Sequence, residues 1–395
     1  MIFNSLGSNY NFGFSLKALF GGGGFLNQER LKKYLSNKYQ GKAVLLYKGR
    51  EAILLALKLL NLPKGSLVAI NGYTCYAVYQ PIAEIGLTPL YLDLPKTALN
   101  FSVQSLLEAS EENPNLKVVI IQNTLGYPCE IEEIAEICKQ KNLILIEDLA
   151  HSAGTFYKNG QQAGSVGDFV VLSFGQDKII DAVSGGALII RNQKYFDNSI
   201  EAAKVSLKQR LKDRFYPEFT WKIRTYYGIG VGKLQHKLLN ALGWLSKPLG
   251  AKEKIVLHEQ PGWYANLALN RFENLKTEIA HRRKLAEIYA TSLDKKFLIP
   301  DAVEKINLST NLRFPILVEK RAELINFLKA NGLHLSDVWY DAPVAPKKYL
   351  EFSDYDAQCP QAEEFSARML NLPTHINVSI KQAQKIASLI NSWSH

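Results

Sequence analysis

The 395-residue sequence has few cysteines and no long apolar run. Its four cysteines, Cys75, Cys129, Cys138 and Cys359, lack the short spacing of a metal site. This argues against a disulfide framework and a structural zinc, and favours a reducing compartment. No stretch reaches the roughly 18 apolar residues of a transmembrane segment, so we expect no spanning helix. We also expect no metal site.

Signals for export and for nicotinamide binding are missing as well. The N-terminus lacks a basic region followed by an apolar one, and its first charged side chain is Lys17. A secretory signal is therefore not expected, and the sequence predicts a cytoplasmic protein. No Gly-x-Gly-x-x-Gly follows the first predicted strand, which disfavours a nicotinamide-dependent enzyme.

The composition, 47% hydrophobic and 21% charged, is that of a folded protein with a sizeable core. At about 150 residues per domain, the length predicts two or three domains. Short apolar runs alternate with amphipathic helical patterns as far as about residue 200. The seven runs are 43–47, 67–70, 89–92, 118–122, 143–147, 169–173 and 187–191. This alternation predicts an α/β fold with a mostly parallel seven-stranded sheet.

The segment 204–254 interrupts this pattern. It holds 12 lysines and arginines against three acids, so it carries +9 of the net charge of +10. Aromatic residues are interleaved with these charges. Three interpretations remain open: a solvated helical hairpin, contact with an anionic membrane or a lipid-linked sugar, and recognition of a nucleotide diphosphate. Nucleic-acid binding is not expected, because no recognised module accompanies the charge.

We divide the chain accordingly into three parts. Residues 1–203 form the large α/β domain, 204–254 a basic, aromatic-rich helical insertion, and 255–395 a long helix with a smaller α+β domain.

Candidate catalytic residues follow two of the apolar runs. Asp148 and His151 come after the run 143–147, and Lys178 follows the run 169–173, which ends at Ser173. A carboxylate at the end of a buried strand is costly without a cationic partner. The sequence therefore allows two interpretations of Asp148, a helix cap or the partner of a protonated heterocycle.

A third segment joins a predicted strand to a helix at Gly49, Arg50 and Glu51. Free amides at a helix N-terminus bind phosphate, and a glycine lets the backbone approach closely. Arg50 could add a bidentate contact to the same phosphate. An ordinary strand–helix turn is the alternative.

Together these segments resemble the fold-type-I pyridoxal-phosphate (PLP) enzymes, specifically the DegT/DnrJ/EryC1/StrS sugar aminotransferases. Residues 173–178 match the Ser-Phe-x-x-x-Lys signature, and 147–151 match Glu-Asp-x-Ala-Gln/His. The phosphate loop is matched by 49–54 and the segment after the next strand by 71–78. The resemblance extends from about residue 25 to 393, interrupted by the basic segment.

The resemblance implies a role for each matched residue. Lys178 would form the Schiff base with PLP and act as the acid–base group, and Asp148 would bind the pyridinium nitrogen. The remaining predicted cofactor-binding residues are Gly49, Arg50, Glu51, Tyr76, Asn123, His151 and Ser173. The family often stacks a phenylalanine on the cofactor ring, where this chain has Cys75; Tyr76 or Tyr73 could substitute, and the sequence does not choose between them.

Two features bear on the reaction. Related sugar dehydratases have histidine in place of the lysine, so Lys178 favours transamination. The family's Asn-Tyr-Arg-Met motif, which reaches the partner subunit's phosphate, is replaced here by residues 257–264.

The resemblance therefore implies an aminotransferase, in a homodimer, that moves an amino group from a donor such as glutamate onto a keto-sugar linked to a nucleotide or a lipid. A PLP-dependent dehydratase and a non-catalytic PLP- or sugar-nucleotide-binding protein are the alternatives.

Overall fold

The computed structural model describes residues 1–196, 201–246, 253–335 and 340–393. Its strands are β1 (Ile2–Phe3), β2 (Lys42–Leu46), β3 (Leu67–Asn71), β4 (Thr74–Cys75), β5 (Thr88–Leu92), β6 (Leu116–Ile121), β7 (Ile144–Asp148), β8 (Phe169–Ser173), β9 (Gly186–Ile190), β10 (Ala203–Lys204), β11 (His258–Glu259), β12 (Arg313–Leu317), β13 (Leu333–His334), β14 (Val344–Ala345) and β15 (Met369–Pro373).

Helices precede, separate and follow these strands. They are α1 (Phe12–Phe20), α2 (Phe25–Tyr39), α3 (Gly49–Leu60), α4 (Tyr76–Glu84), α5 (Val103–Glu112), α6 (Ile131–Gln140), α7 (Leu207–Thr225), α8 (Val231–Ala241), α9 (Gly262–Ser292), α10 (Pro300–Glu304), α11 (Arg321–Ala330), α12 (Pro360–Arg368) and α13 (Ile380–Ser392). Among the described helices, none is long and apolar enough to cross a membrane.

The seven predicted strands form the centre of one large sheet, in the order β2-β9-β8-β7-β6-β3-β5. Among these seven, β9 alone runs against its neighbours, so the predicted mostly parallel sheet is confirmed. The two-residue strands β11 and β10 extend the edge beyond β2, which the sequence did not predict.

Both faces of the sheet are buried. In β6, Val119 and Ile121 pack in one hydrophobic cluster, whereas Val118 and Ile120 pack in the cluster on the opposite face. A strand covered on both faces needs apolar residues at every position, which is why the strands appear in the sequence as continuous apolar runs.

The C-terminal part has its own hydrophobic cluster around the antiparallel pair β12–β15. The helices α9, α11 and α13 contribute to this cluster, and α13 begins at a capping box formed by Ser379 and Gln382. The smaller α+β unit predicted from the sequence is therefore present. The predicted boundaries 1–203, 204–254 and 255–395 stay a prediction; Tyr216 and Ile223 of α7 pack in the same cluster as the large sheet.

Candidate active site

Three strands end at one edge of the sheet and bring the predicted site residues together. Strands β2 and β8 are both antiparallel to β9, and β7 is parallel to β8, so all three have their carboxyl ends at this edge. Gly49 lies just after β2, Asp148 ends β7 and Ser173 ends β8. Ligands of open α/β sheets bind at this edge.

Two adjoining cavities lie between these segments, one of about 580 Å³ and one of about 70 Å³. Lys178 and His151 line both cavities, and Asp148 lines the smaller one. The predicted site residues that line one or both cavities are Gly49, Arg50, Asp148, His151, Ser173 and Lys178.

Lys178 lies in the loop between β8 and β9, and its side chain reaches toward β7. Its Nζ atom is 3.0 Å from Nε2 of His151. Burial lowers the pKa of the Lys178 ammonium, although the Cys75 thiol and the Asp148 carboxylate act in the opposite direction. A lowered pKa increases the fraction of neutral amine, which is the nucleophilic form.

His151 presents a hydrogen-bond donor to this amine. Its Nδ1 atom accepts a hydrogen bond of 3.2 Å from the backbone N–H of Leu125, so the proton of the neutral ring lies on Nε2. Burial, together with the charges of Lys178 and Arg313, holds the pKa of His151 well below its usual value. We infer that the Nε2–H of a neutral imidazole faces Nζ of Lys178.

Asp148 is a buried carboxylate at the end of a central strand. Its Oδ1 atom accepts a hydrogen bond of 2.9 Å from the backbone N–H of Ala150. Burial raises the pKa of Asp148 to about 6, while this hydrogen bond and the charge of Lys178 lower it. A protonated ring nitrogen in the smaller cavity would supply the positive charge that a buried carboxylate requires.

The N-terminus of α3 can hold a phosphate. A Cβ atom added to Gly49 would lie only 2.7 Å from the Cβ of Ser173, so the backbone here leaves no room for a side chain. The N-cap residue Lys48 makes no side-chain capping hydrogen bond to the helix. Amides at this terminus, the Ser173 hydroxyl and the Arg50 guanidinium form a donor set suited to a phosphate. The amine, carboxylate and phosphate-binding groups therefore fit PLP.

Three predicted cofactor-binding side chains line neither cavity. Glu51 accepts hydrogen bonds from the backbone N–H of His258 at 2.9 Å and lies 3.2 Å from its Nδ1. Tyr76, the first residue of α4, packs against the rings of Tyr79 and Tyr349. Asn123 donates to the hydroxyl of Tyr157. These three side chains lie outside the cavities, and the cofactor contacts predicted for Glu51, Tyr76 and Asn123 stay predictions.

The cavities are also lined by residues that the sequence analysis did not predict as site residues. Tyr340 lines both, and its ring lies 5.9 Å from that of His151. Tyr73, one of the two tyrosines considered for the cofactor ring, is fully buried behind Tyr340 and lines neither cavity. The aromatic content of the basic segment was the only sequence signal for Tyr216 and Tyr227, which line the larger cavity.

Comparison with known proteins identifies the family. The model of the DegT/DnrJ/EryC1/StrS aminotransferase family matches residues 27–391. GDP-perosamine synthase of Escherichia coli O157:H7 is 24% identical over 364 residues, which cover 91% of this chain and 88% of the relative. The dTDP-4-amino-4,6-dideoxy-D-glucose transaminase of Shigella dysenteriae is 25% identical over 370 residues, covering 92% and 88% of the two chains.

The fold is shared with solved structures. A DegT DnrJ EryC1 StrS aminotransferase from Brucella abortus superposes with a TM-score of 0.69 at 20% identity, over 92% of this chain and 89% of the other. Because the family model spans nearly the whole chain, including the segments that carry Gly49, Asp148 and Lys178, the chain belongs to the DegT/DnrJ/EryC1/StrS aminotransferase family and is a PLP-dependent aminotransferase.

Proposed function

We propose that this enzyme transfers an amino group from a donor such as glutamate to a keto-sugar linked to a nucleotide. The observation that carries the proposal is the placement of Lys178, His151 and Asp148 around adjoining cavities beside the N-terminus of α3. The relatives named GDP-perosamine synthase and dTDP-4-amino-4,6-dideoxy-D-glucose transaminase support a nucleotide-linked substrate.

The residues of the site divide the work of such a transfer. PLP, when bound, supplies an electron-accepting ring and a carbonyl group that carries the amino group between half-reactions. The Asp148 carboxylate holds a proton on the ring nitrogen. Nζ of Lys178 is placed to take a proton from the substrate carbon and to return it. The Nε2–H of His151 orients that amine.

An assay with matched lysine variants tests the proposal. The purified enzyme is incubated with PLP, glutamate and keto-sugars linked to GDP, dTDP or UDP, and products are identified by mass spectrometry. We expect an amino-sugar from the wild type and none from Lys178→Ala. Lys38→Ala is the control, because burial also lowers the pKa of Lys38 but its Nζ contacts Gln162, outside the site.

The two alternatives predict different products. A dehydratase would form a sugar that has lost a hydroxyl group and has gained no nitrogen. A non-catalytic binding protein would form no product, and its biological activity would be unchanged by Lys178→Ala. Either result would overturn the proposal.

We further propose that the enzyme is a cytoplasmic homodimer that contacts the anionic inner face of the membrane through the basic segment. All four cysteines are free thiols, which suits a reducing compartment.

The proposal of a dimer is based on the family resemblance, and light scattering tests it. The membrane contact rests on α8, which exposes an apolar stripe next to lysines; a lipid-linked keto-sugar is the substrate that such a location would favour.

A further inference from the structure

The N-terminal segment 2–10 lies outside the part of the chain that the family model matches, yet it is built into the active site. Residues 7–10 are buried, and β1 pairs with β13 of the C-terminal part. Phe3, Ser5 and Leu6 line the larger cavity. We propose that this N-terminal segment is a positioning element, in which Ser8, Asn9 and Tyr10 hold the loop that carries Lys178.

The loop that carries Lys178 has an unfavourable backbone on both sides of the lysine. Asp177 has a φ of 60° and Val183 a φ of 71°, both in the left-handed region. For a β-branched residue such as Val183 this conformation is a genuine outlier. Such conformations persist only where surrounding groups hold them, and they concentrate at functional sites.

The carboxylate of Asp181 holds both of these residues. It accepts the backbone N–H of Asp177 at 2.8 Å and that of Val183 at 3.1 Å. The N-terminal segment completes the arrangement, because the Tyr10 hydroxyl donates to Asp181 at 2.6 Å and Nδ2 of Asn9 donates to it at 3.0 Å. The segment thus fixes the group on which the loop conformation depends.

Two further contacts reach the loop next to the lysine itself. The Ser8 hydroxyl donates to the Asp177 carboxylate at 3.0 Å, and Nδ2 of Asn9 lies 3.3 Å from the carbonyl oxygen of Lys178. The first holds the side chain of the residue before the lysine, and the second holds the main chain of the lysine itself.

The segment is itself anchored from the C-terminal half of the chain. Arg282 donates to the side chain of Asn9 at 3.0 Å, and Arg271 donates to the Asn9 carbonyl at 3.3 Å and to that of Asp181 at 3.0 Å. Asn377 donates to the carbonyl of Ser8 at 2.7 Å. The N-terminal segment therefore connects the loop to α9 and to the turn before α13, and its displacement would release Lys178 from its position beside His151.

The test removes single hydroxyl groups that face the loop. Tyr10→Phe keeps the ring, which stacks on Phe14, and loses the hydrogen bond to Asp181. Ser8→Ala loses the hydrogen bond to Asp177. Tyr289→Phe is the matched control, because Tyr289 is also fully buried and its hydroxyl donates to the Pro373 carbonyl at 2.9 Å, away from the site.

Two measurements separate positioning from general stability. In the cofactor-free protein, the acetylation rate of Lys178 relative to surface lysines is followed by mass spectrometry. In the PLP-loaded enzyme, kcat and KM are measured separately. We expect Tyr10→Phe to change the relative labelling rate and to lower kcat about 10- to 100-fold with little change in KM. Tyr289→Phe should alter only the melting temperature.

The labelling measurement keeps this inference separate from the proposed function, because it needs neither a substrate nor transaminase activity. If both Tyr10→Phe and Ser8→Ala match Tyr289→Phe in labelling and in kcat, the N-terminal segment is merely structural and the inference is overturned. Should Tyr10→Phe fail to fold, the smaller Ser8→Ala change decides the question by the same two measurements.

Discussion

Nζ of Lys178 lies 3.0 Å from Nε2 of His151, and the Nδ1 atom on the other side of that ring is occupied by the backbone N–H of Leu125. This arrangement determines which proton lies between the two side chains. An ammonium group on Lys178 would need an acceptor at Nε2, whereas the hydrogen bond from Leu125 places the ring proton there. The site therefore favours a neutral lysine, in agreement with the lowered pKa values of both groups.

Variants of His151 test this geometry. Glutamine can place an amide near the position of Nε2, whereas asparagine can place its oxygen near the position of Nδ1. We expect His151→Gln to stay within about 10-fold of wild-type kcat and His151→Asn to lose about 10- to 100-fold, because only the former keeps a donor beside Lys178. Steady-state kinetics check the order. Equal loss in the two variants would mean that the contact to Lys178 does not matter.

Asp148 provides a second prediction, in which stability and activity change in opposite directions. Burial raises the pKa of Asp148 to about 6, above the value of about 3.9 expected in the unfolded chain. Between these values the folded state binds more protons than the unfolded state, so the contribution of this group to stability falls as the pH rises from 4 to 6 and stays low above that.

We therefore expect cofactor-free Asp148→Asn to be more stable than the wild type at pH 8 by about 2 kcal/mol, with little difference at pH 4. Its transaminase activity should fall by about 100-fold or more, because the carboxylate that keeps the ring nitrogen protonated is gone. Urea denaturation at both pH values checks the first expectation. The control is Asp356→Asn, at an exposed aspartate. If the difference in unfolding free energy between Asp148→Asn and the wild type is the same at pH 4 and pH 8, the argument is contradicted.

Gly49 tests the phosphate end of the site. A methyl group at this position would lie 2.7 Å from the Cβ of Ser173 and 3.0 Å from its Oγ, so the start of α3 must move away from β8. We expect Gly49→Ala to weaken PLP binding about 10-fold or more, since the helix amides and the Ser173 hydroxyl no longer converge. Fluorescence titration of the cofactor-free protein measures this.

The matched control for that substitution is Gly22→Ala. A Cβ at Gly22 has no atom within 4 Å, so its PLP affinity should equal that of the wild type. If Gly49→Ala also binds PLP normally, the phosphate lies elsewhere.

The local parts of the site were predictable for a physical reason. A strand buried on both faces appears as a continuous apolar run, and polar residues that directly follow such runs lie at the sheet edge where ligands bind. Gly49, Asp148 and Lys178 all follow runs of this kind. The position of Asp148 at the end of such a run therefore predicted that it lies at this edge, where it lines the smaller cavity.

The rest of the site depends on long-range packing, which local patterns do not record. Ser8, Asn9 and Tyr10 reach the Lys178 loop across about 170 residues of sequence, and nothing in their spacing indicates a partner. Tyr76 illustrates a second difficulty. Cys75 is the N-cap of α4 and lines both cavities, whereas Tyr76, the next residue, lines neither and packs against Tyr79 and Tyr349.

The last prediction concerns α8 and the membrane. An apolar stripe at helical spacing is more than half exposed to solvent; it consists of Val231, Leu234, Leu238 and Leu242. An adjacent exposed face carries Lys233 and Lys237. A helix with an apolar face beside lysines suits the headgroup layer of an anionic bilayer. Tyr227 and His236, next to and within α8, line the larger cavity, so this surface lies near the substrate site.

We expect the wild type to float with vesicles that contain an anionic phospholipid and not with phosphatidylcholine alone, and added salt should weaken the association because it screens the lysines. Leu234→Glu/Leu238→Glu should abolish flotation. Ile380→Glu, at an exposed apolar residue of α13, should leave it intact. A different outcome would contradict the membrane contact: the double variant is a monomer in light scattering where the wild type is a dimer, and its lipid association is unchanged. In that case the apolar stripe packs against a second copy of the chain, because only a protein partner would leave the lysine-dependent lipid contact unaffected.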